Sequence, residues 1–275
     1  MIKRILVNLM SHPERTPDWA ITQSDELAVH LDANLDAAIS VMHIPDVSNF
    51  LARKLVGADE AIAAENRASK ANAAALEARF SAITGSADTK RQYRSDCFSF
   101  ADTSQLAEHA RLFDLSIVPL YQHPDTRWLA EGMIFLSGRP VLLLPERGER
   151  SWSSLVIAWD GSRSATRALA DALPLCIKAA KVTLLTITGD KPLADDLSPE
   201  AAARYLGHHG ITCEIMRAAA QGRDAGEALL HEAQKLRADL LIMGAFGHSR
   251  MREFILGGAT EAILHDPRMP ILLAH

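Results

Sequence analysis

Leu229-Leu-His-Glu-Ala-Gln-Lys-Leu-Arg-Ala-Asp-Leu-Leu-Ile-Met243 runs directly into Gly244-Ala-Phe-Gly247. It reads as an amphipathic helix, an Asp, then a buried strand that ends at glycine. The same order occurs earlier, in Leu106-Ala-Glu-His-Ala-Arg-Leu-Phe-Asp-Leu-Ser-Ile-Val-Pro-Leu120. Two further stretches match each other: Gly138-Arg-Pro-Val-Leu-Leu-Leu-Pro145 and Arg268-Met-Pro-Ile-Leu-Leu-Ala-His275, each a final strand introduced by proline. The chain is therefore an internal repeat.

The openings of the two halves agree with this. Ile5-Leu-Val-Asn-Leu-Met10 and Leu155-Val-Ile-Ala-Trp159 read as first strands. Helical patterns follow at Ser24–Leu31 and Ala165–Leu173, then apolar runs at Leu35–His43 and Val182–Thr188. Strands that alternate with helices predict βαβ units and a parallel sheet. Continuous apolar strands predict helices on both faces. The reading is an α/β chain of two domains, residues 1–147 and 153–275, each an open, five-stranded, mostly parallel sheet. The linker near 146–153 is charged. Residues 55–84 form an Ala/Glu/Arg-rich helical segment with sparse anchors at Ile62, Leu76, Phe80 and Ile83. It reads as a surface helix packed by one stripe, with a partner-binding helix as the alternative.

Composition narrows the function. Over 275 residues the net charge is −5, without the basic excess of a nucleic-acid binder. Cys97, Cys176 and Cys213 are odd in number and far apart, so no disulfide framework or CxxC metal motif is expected. No apolar run approaches the ~18 residues that span a bilayer, and the N-terminus lacks a signal-peptide pattern. These readings predict a cytoplasmic protein. The 11 histidines show no HExxH or Cys/His spacing, and no GxSxG elbow is present, so no catalytic or metal-binding residue is assigned.

The segment from Gly244 to Thr260 holds the most chemistry. Glycines between a strand and a helix let backbone N–H groups approach a ligand, and the helix N-terminus adds donors and a positive dipole end. A phosphate cradle and a plain strand-to-helix connection both fit. Asp160, at the end of the second half's first strand, is suited to accepting from an adenine amino group or to capping the helix that begins near Ser164. Open α/β sheets bind ligands beyond the carboxyl ends of their strands, where both features fall.

Gly244-x-x-Gly247, then nine residues, then Gly257-Gly258 resembles the nucleotide-binding loop of the universal stress protein family, and Asp160 matches that family's Asp after the first strand. The whole chain resembles a tandem member. The resemblance implies the adenine nucleotide alpha hydrolase-like fold. It also implies ATP, with Mg²⁺, bound by the second half through Asp160, Ile187, Gly244, Gly247, His248, Gly257, Gly258 and Ala259. The region of Ile187 and Thr188 would meet adenine through its backbone. Gly258 departs from the family, standing where its phosphate-binding Ser/Thr is expected. Thr260 is a nearby hydroxyl; Ser249 and Arg250 read as phosphate or ribose contacts or as solvated loop. In the first half, the loop Tyr121–Trp128 has no glycine, and Arg127 and Trp128 fall where Gly257 and Gly258 lie. A bulky ring there would block close phosphate approach, so this half is expected to lack the site.

The expected function is regulatory, in the stress response, with at most weak ATP hydrolysis and an unnamed protein partner. A nucleotide-free interaction module and a weak ATPase or nucleotidyl transferase are the alternatives. The family also implies pairing of last strands, here within one chain through 140–145 and 270–275, with a homodimer as a further possibility.

Overall fold

The computed structural model describes residues 1–45, 58–85, 90–96, 103–121, 124–146, 151–188, 194–245, 264 and 267–275. The strands are β1 (Arg4–Met10), β2 (Asn34–His43), β3 (Lys90–Asp96), β4 (Leu115–Leu120), β5 (Val141–Pro145), β6 (Ser154–Ala158), β7 (Lys181–Thr188), β8 (Glu214–Ala219), β9 (Leu240–Gly244) and β10 (Ile271–Ala274). The α-helices among the described residues are α1 (Asp18–Leu31), α2 (Ala58–Thr84), α3 (Ser104–Ala110), α4 (Pro124–Leu136), α5 (Arg163–Lys178), α6 (Pro199–His208) and α7 (Ala225–Lys235).

The strands form one ten-stranded sheet in the order β3-β2-β1-β4-β5-β10-β9-β6-β7-β8. Each half contributes five strands, parallel within the half. The halves join antiparallel through β5 and β10, with Leu143 opposite Ile271 and Val141 opposite Leu273. Every residue of β4, β5 and β10 is buried, because helices lie on both faces. On one face α1, α2, α5 and α6 cover Ile5, Val7, Ile117, Leu155 and Ile157. On the other, α3, α4 and α7 cover Leu6, Val118, Leu143, Val156 and Leu241.

The repeat has a polar signature. Asp114 Oδ2 accepts from the backbone N–H of Lys3 (2.7 Å) and Arg4 (3.0 Å). Asp239 Oδ2 accepts from the N–H of Ser153 (2.8 Å) and Ser154 (2.9 Å) and from the Ser151 hydroxyl (2.8 Å). Each Asp precedes the fourth strand of its half and clamps the start of the first. Partial burial would raise the Asp239 pKa, but the donors of Ser154, Ser151 and Ser153 outweigh it and hold the carboxyl below its ordinary value. A depressed folded-state pKa stabilises above the unfolded value, ~3.9, and that contribution is lost as pH falls through the folded value. Asp239→Asn is therefore expected to cost about 1.5–3 kcal/mol near neutral pH. Urea unfolding at a series of pH values checks it: the gap between wild type and variant should close below about pH 4.

The long helix α2 is more than a surface helix on one apolar stripe. Leu76 and Phe80 are fully buried, and Ile83 packs against the same core. Polar side chains add a second line of attachment. Ser69 Oγ accepts from the Met42 N–H (2.8 Å) and lies 2.7 Å from Ser11 Oγ. Asn66 bonds both backbone groups of Ile44, and Asn72 donates to the Ser11 carbonyl. His12 Nε2 lies 3.2 Å from Glu65 Oε2. Together they fasten α2 over the carboxyl ends of β1 and β2.

Candidate functional site

In the second half β6 lies between β7 and β9. The strand order reverses at β6, with its chain successor β7 on one side and β9 on the other, the kind of switch point where open α/β sheets hold ligands. Asp160 emerges from β6 there, and Gly244 and Ala245 from β9. Ile187 lies near the end of β7, opposite Ala218 of β8.

The loop after β6 is ordered by its own side chains. Asp160 Oδ1 accepts from the Ser162 N–H at 2.9 Å, closing a turn over Gly161, whose φ is +71°. That positive φ is the reason for glycine at this position. Ser162 is the N-cap of α5: its Oγ accepts from the Ala165 N–H at 3.1 Å. Capping therefore belongs to Ser162, not to Asp160 as one sequence reading had it. Asp160 is exposed, and only Oδ1 carries a bond among the described residues. Trp159 beside it is buried, donating from Nε1 to the Leu197 carbonyl at 2.8 Å. This ties the segment before α6 to the end of β6.

Gly244 has a packing role that the sequence did not reveal. A Cβ on it would lie 2.5 Å from the Ala165 backbone N, the Ser164 carbonyl C and Ser164 Oγ. Its missing side chain lets β9 lie against the first turn of α5. That brings the end of β9, the N-terminus of α5 and the Asp160 turn together. Gly247, His248, Gly257, Gly258 and Ala259 lie outside the described residues, as do Ser249, Arg250 and Thr260.

The Asp clamps align the halves residue by residue. Arg4 of β1 corresponds to Ser154 of β6, and Leu115 of β4 to Leu240 of β9. Met10 then stands where Asp160 stands, and Pro119 where Gly244 stands. Through the pairings Arg4–Asn34 and Ser154–Lys181, Ser40 corresponds to Ile187. Its carbonyl is already bonded to the Ser11 N–H at 3.1 Å. The first half thus lacks the acceptor and the close-packing glycine, and α2 fastens its loop. The Trp128 ring is 57% exposed. It lies largely in solvent.

Among the described residues no group of His, Cys, Asp and Glu is placed to hold a metal ion. Burial, with a smaller effect of Cys213, pushes the Cys176 thiol up to about 12, as for a packing residue rather than a nucleophile. No helix among the described residues is long and apolar enough to cross a membrane.

Comparison with known proteins agrees with the architecture. Residues 152–275 match the model of the universal stress protein family. A universal stress protein of Synechocystis is 27% identical over 173 residues, covering 58% of this chain and 58% of that protein, so the match spans little more than half of the relative's length. The solved structure of a universal stress protein from Archaeoglobus fulgidus superposes with a TM-score of 0.66 at 13% identity, covering 98% of this chain and 97% of that one. A Pseudomonas aeruginosa protein assigned to the universal stress type gives a TM-score of 0.56 at 16% identity, covering 99% and 93%. At such identities these structures speak for the fold alone. Residues 152–275 resemble the universal stress protein family, and the chain as a whole shares the fold of these solved structures.

Proposed function

We propose that this chain is a regulatory protein that binds one adenine nucleotide, ATP or a close relative, in its second half. The observation that carries the reading is the meeting of the Asp160 turn, the end of β9 at Gly244 and the N-terminus of α5 at one switch point. Asp160 would accept from the adenine amino group through the oxygen that the Ser162 turn leaves open. The backbone near Ile187 would line the base. Gly247, His248, Gly257, Gly258 and Ala259 would supply the phosphate loop, with Gly258 offering a backbone N–H where a hydroxyl donor is expected. Mg²⁺ would accompany the phosphates of the nucleotide. Bound nucleotide would act by shifting the population of loop conformations that a protein partner reads. Turnover is not part of this proposal. Residues 1–147 and 153–275 are taken as the two domains, the first structural.

Asp160→Ala tests the base contact. It removes one acceptor from a hydrogen bond to a charged group and is expected to weaken ATP binding about tenfold or more. The Ser162 cap remains, so the fold should survive. Thermal shift with and without ATP reads the change. Equal shifts in wild type and variant would place the nucleotide elsewhere, and no shift in wild type would favour a nucleotide-free interaction module.

A further inference from the structure

Trp159 joins the Asp160 turn to a helix that lies outside it. Its backbone N–H donates to the Leu185 carbonyl at 2.8 Å, carrying the pairing with β7 one residue past the end of β6. Its ring is 7% exposed and shares a core face with Ala202 and Leu206 of α6. The indole N–H donates to the Leu197 carbonyl at 2.8 Å. Leu197 ends a 3₁₀ turn, Asp195–Leu197, and the next residue, Ser198, caps α6 by accepting from the Ala201 N–H. A buried indole does not find such a partner by default: Trp19 Nε1 and Trp152 Nε1 are buried with none among the described residues. The two halves also differ here. The Asp clamps that align Arg4 with Ser154 set Leu9 in the place of Trp159. Leu9 is buried but offers no polar atom, in the half where Met10 stands in place of Asp160. The helices that follow the second strands differ to match. Asn66, Ser69 and Asn72 fasten α2 to the ends of β1 and β2. Among the described residues, the side-chain bonds between the α6 region and the sheet are Trp159 to Leu197 and Arg217 to Glu200, and the second is half-exposed.

We infer that Trp159 is a positioning residue for the nucleotide site, and the link through which that site and α6 act on each other. The inference rests on the nucleotide reading of Asp160 given above. Asp160 follows Trp159 directly, and its turn is closed by the local bond to Ser162. Bonds within the turn shape it; the indole anchor holds it against α6. An Asp160 turn held in one place favours a ligand that bonds Asp160. By reciprocity, a ligand on Asp160 favours the docked position of α6. The first half has neither the acceptor nor the indole, and its second helix is fastened by its own side chains instead. Bound nucleotide is thereby felt over residues 195–206, on a surface away from the phosphate loop.

Titration of the full chain with ATP and Mg²⁺, combined with hydrogen exchange over residues 197–206, tests this. Trp159→Phe keeps an aromatic ring in the core and removes the N–H. It should weaken ATP binding about three- to tenfold, the worth of one neutral hydrogen bond. In wild type, ATP should slow exchange of the 197–206 amides; in Trp159→Phe, saturating ATP should leave their exchange unchanged. Ser198→Ala removes the cap of α6 and leaves Trp159 and the Asp160 turn in place, so it decides the matter if Trp159→Phe does not fold. It should weaken ATP binding about twofold or more. In the double variant the two losses should not add, because both act through one bond. A Trp159 that serves packing alone would lower the melting temperature when replaced, yet leave ATP affinity and the response of α6 as in wild type. That result, or wild-type ATP affinity in Ser198→Ala, overturns the inference while the nucleotide reading stands. A wild type that binds no ATP overturns both.

Discussion

Phe80→Ala is expected to lower the stability of the chain by about 3–5 kcal/mol, the range for emptying a fully buried aromatic site. Phe80 has no exposed surface and packs with Leu76 and Ala73 into the face that α1 and α5 also cover. Two consequences follow from how α2 is fastened. Its polar bonds to Met42, Ile44 and Ser11 depend on the helix lying in place, so loosening the apolar stripe releases them as well. The ends of β1 and β2 should then lose protection from amide exchange before the second half does. Urea unfolding combined with hydrogen exchange reads both effects. Ala78→Glu, on the outer face of the same helix, should change stability by no more than about 0.5 kcal/mol.

Gly244→Ala is the second large effect. The added methyl would overlap two backbone atoms of α5 and the Ser164 hydroxyl, and backbone yields far less readily than a side-chain tip. Moving β9 away from α5 is expected to cost about 1–3 kcal/mol. Gly207→Ala is the paired control. It lies inside α6 with open space around its Cβ position, and Ala is the better helix former by about 1 kcal/mol. One glycine substitution should destabilise and the other stabilise, as melting temperatures would record. Because Gly244 also sets the approach of β9 to the Asp160 turn, its variant should bind ATP more weakly even where it remains folded.

The sheet was legible in the sequence because its central strands are buried on both faces. Leu115–Leu120 and Leu240–Gly244 read as apolar runs with no need for knowledge of their neighbours. The repeat was legible for the same reason, and Asp114 and Asp239 stood in it as matched residues without a role until their contacts with Arg4 and Ser154 were seen. The attachment of α2 was not legible. Its polar half consists of Ser69, Asn66 and Asn72, whose partners lie 22 to 61 residues away along the chain. No local periodicity reports such bonds.

The site was partly legible. Asp160 and Gly244 do come together at one switch point, but Gly244 also serves strand–helix packing. Ser162 rather than Asp160 caps α5. Alignment through the proline-led last strands drew attention to Arg127 and Trp128. Alignment through the Asp clamps shows Met10 and Pro119 instead, residues that read as ordinary strand-end packing until their counterparts are placed.

Isothermal titration of the intact chain with ATP and Mg²⁺ tests the central claim most directly. One nucleotide per chain is predicted, with binding reduced about tenfold or more by Asp160→Ala and unaltered by Met10→Leu at the corresponding place in the first half. A stoichiometry of two, or no binding by wild type, would contradict the account.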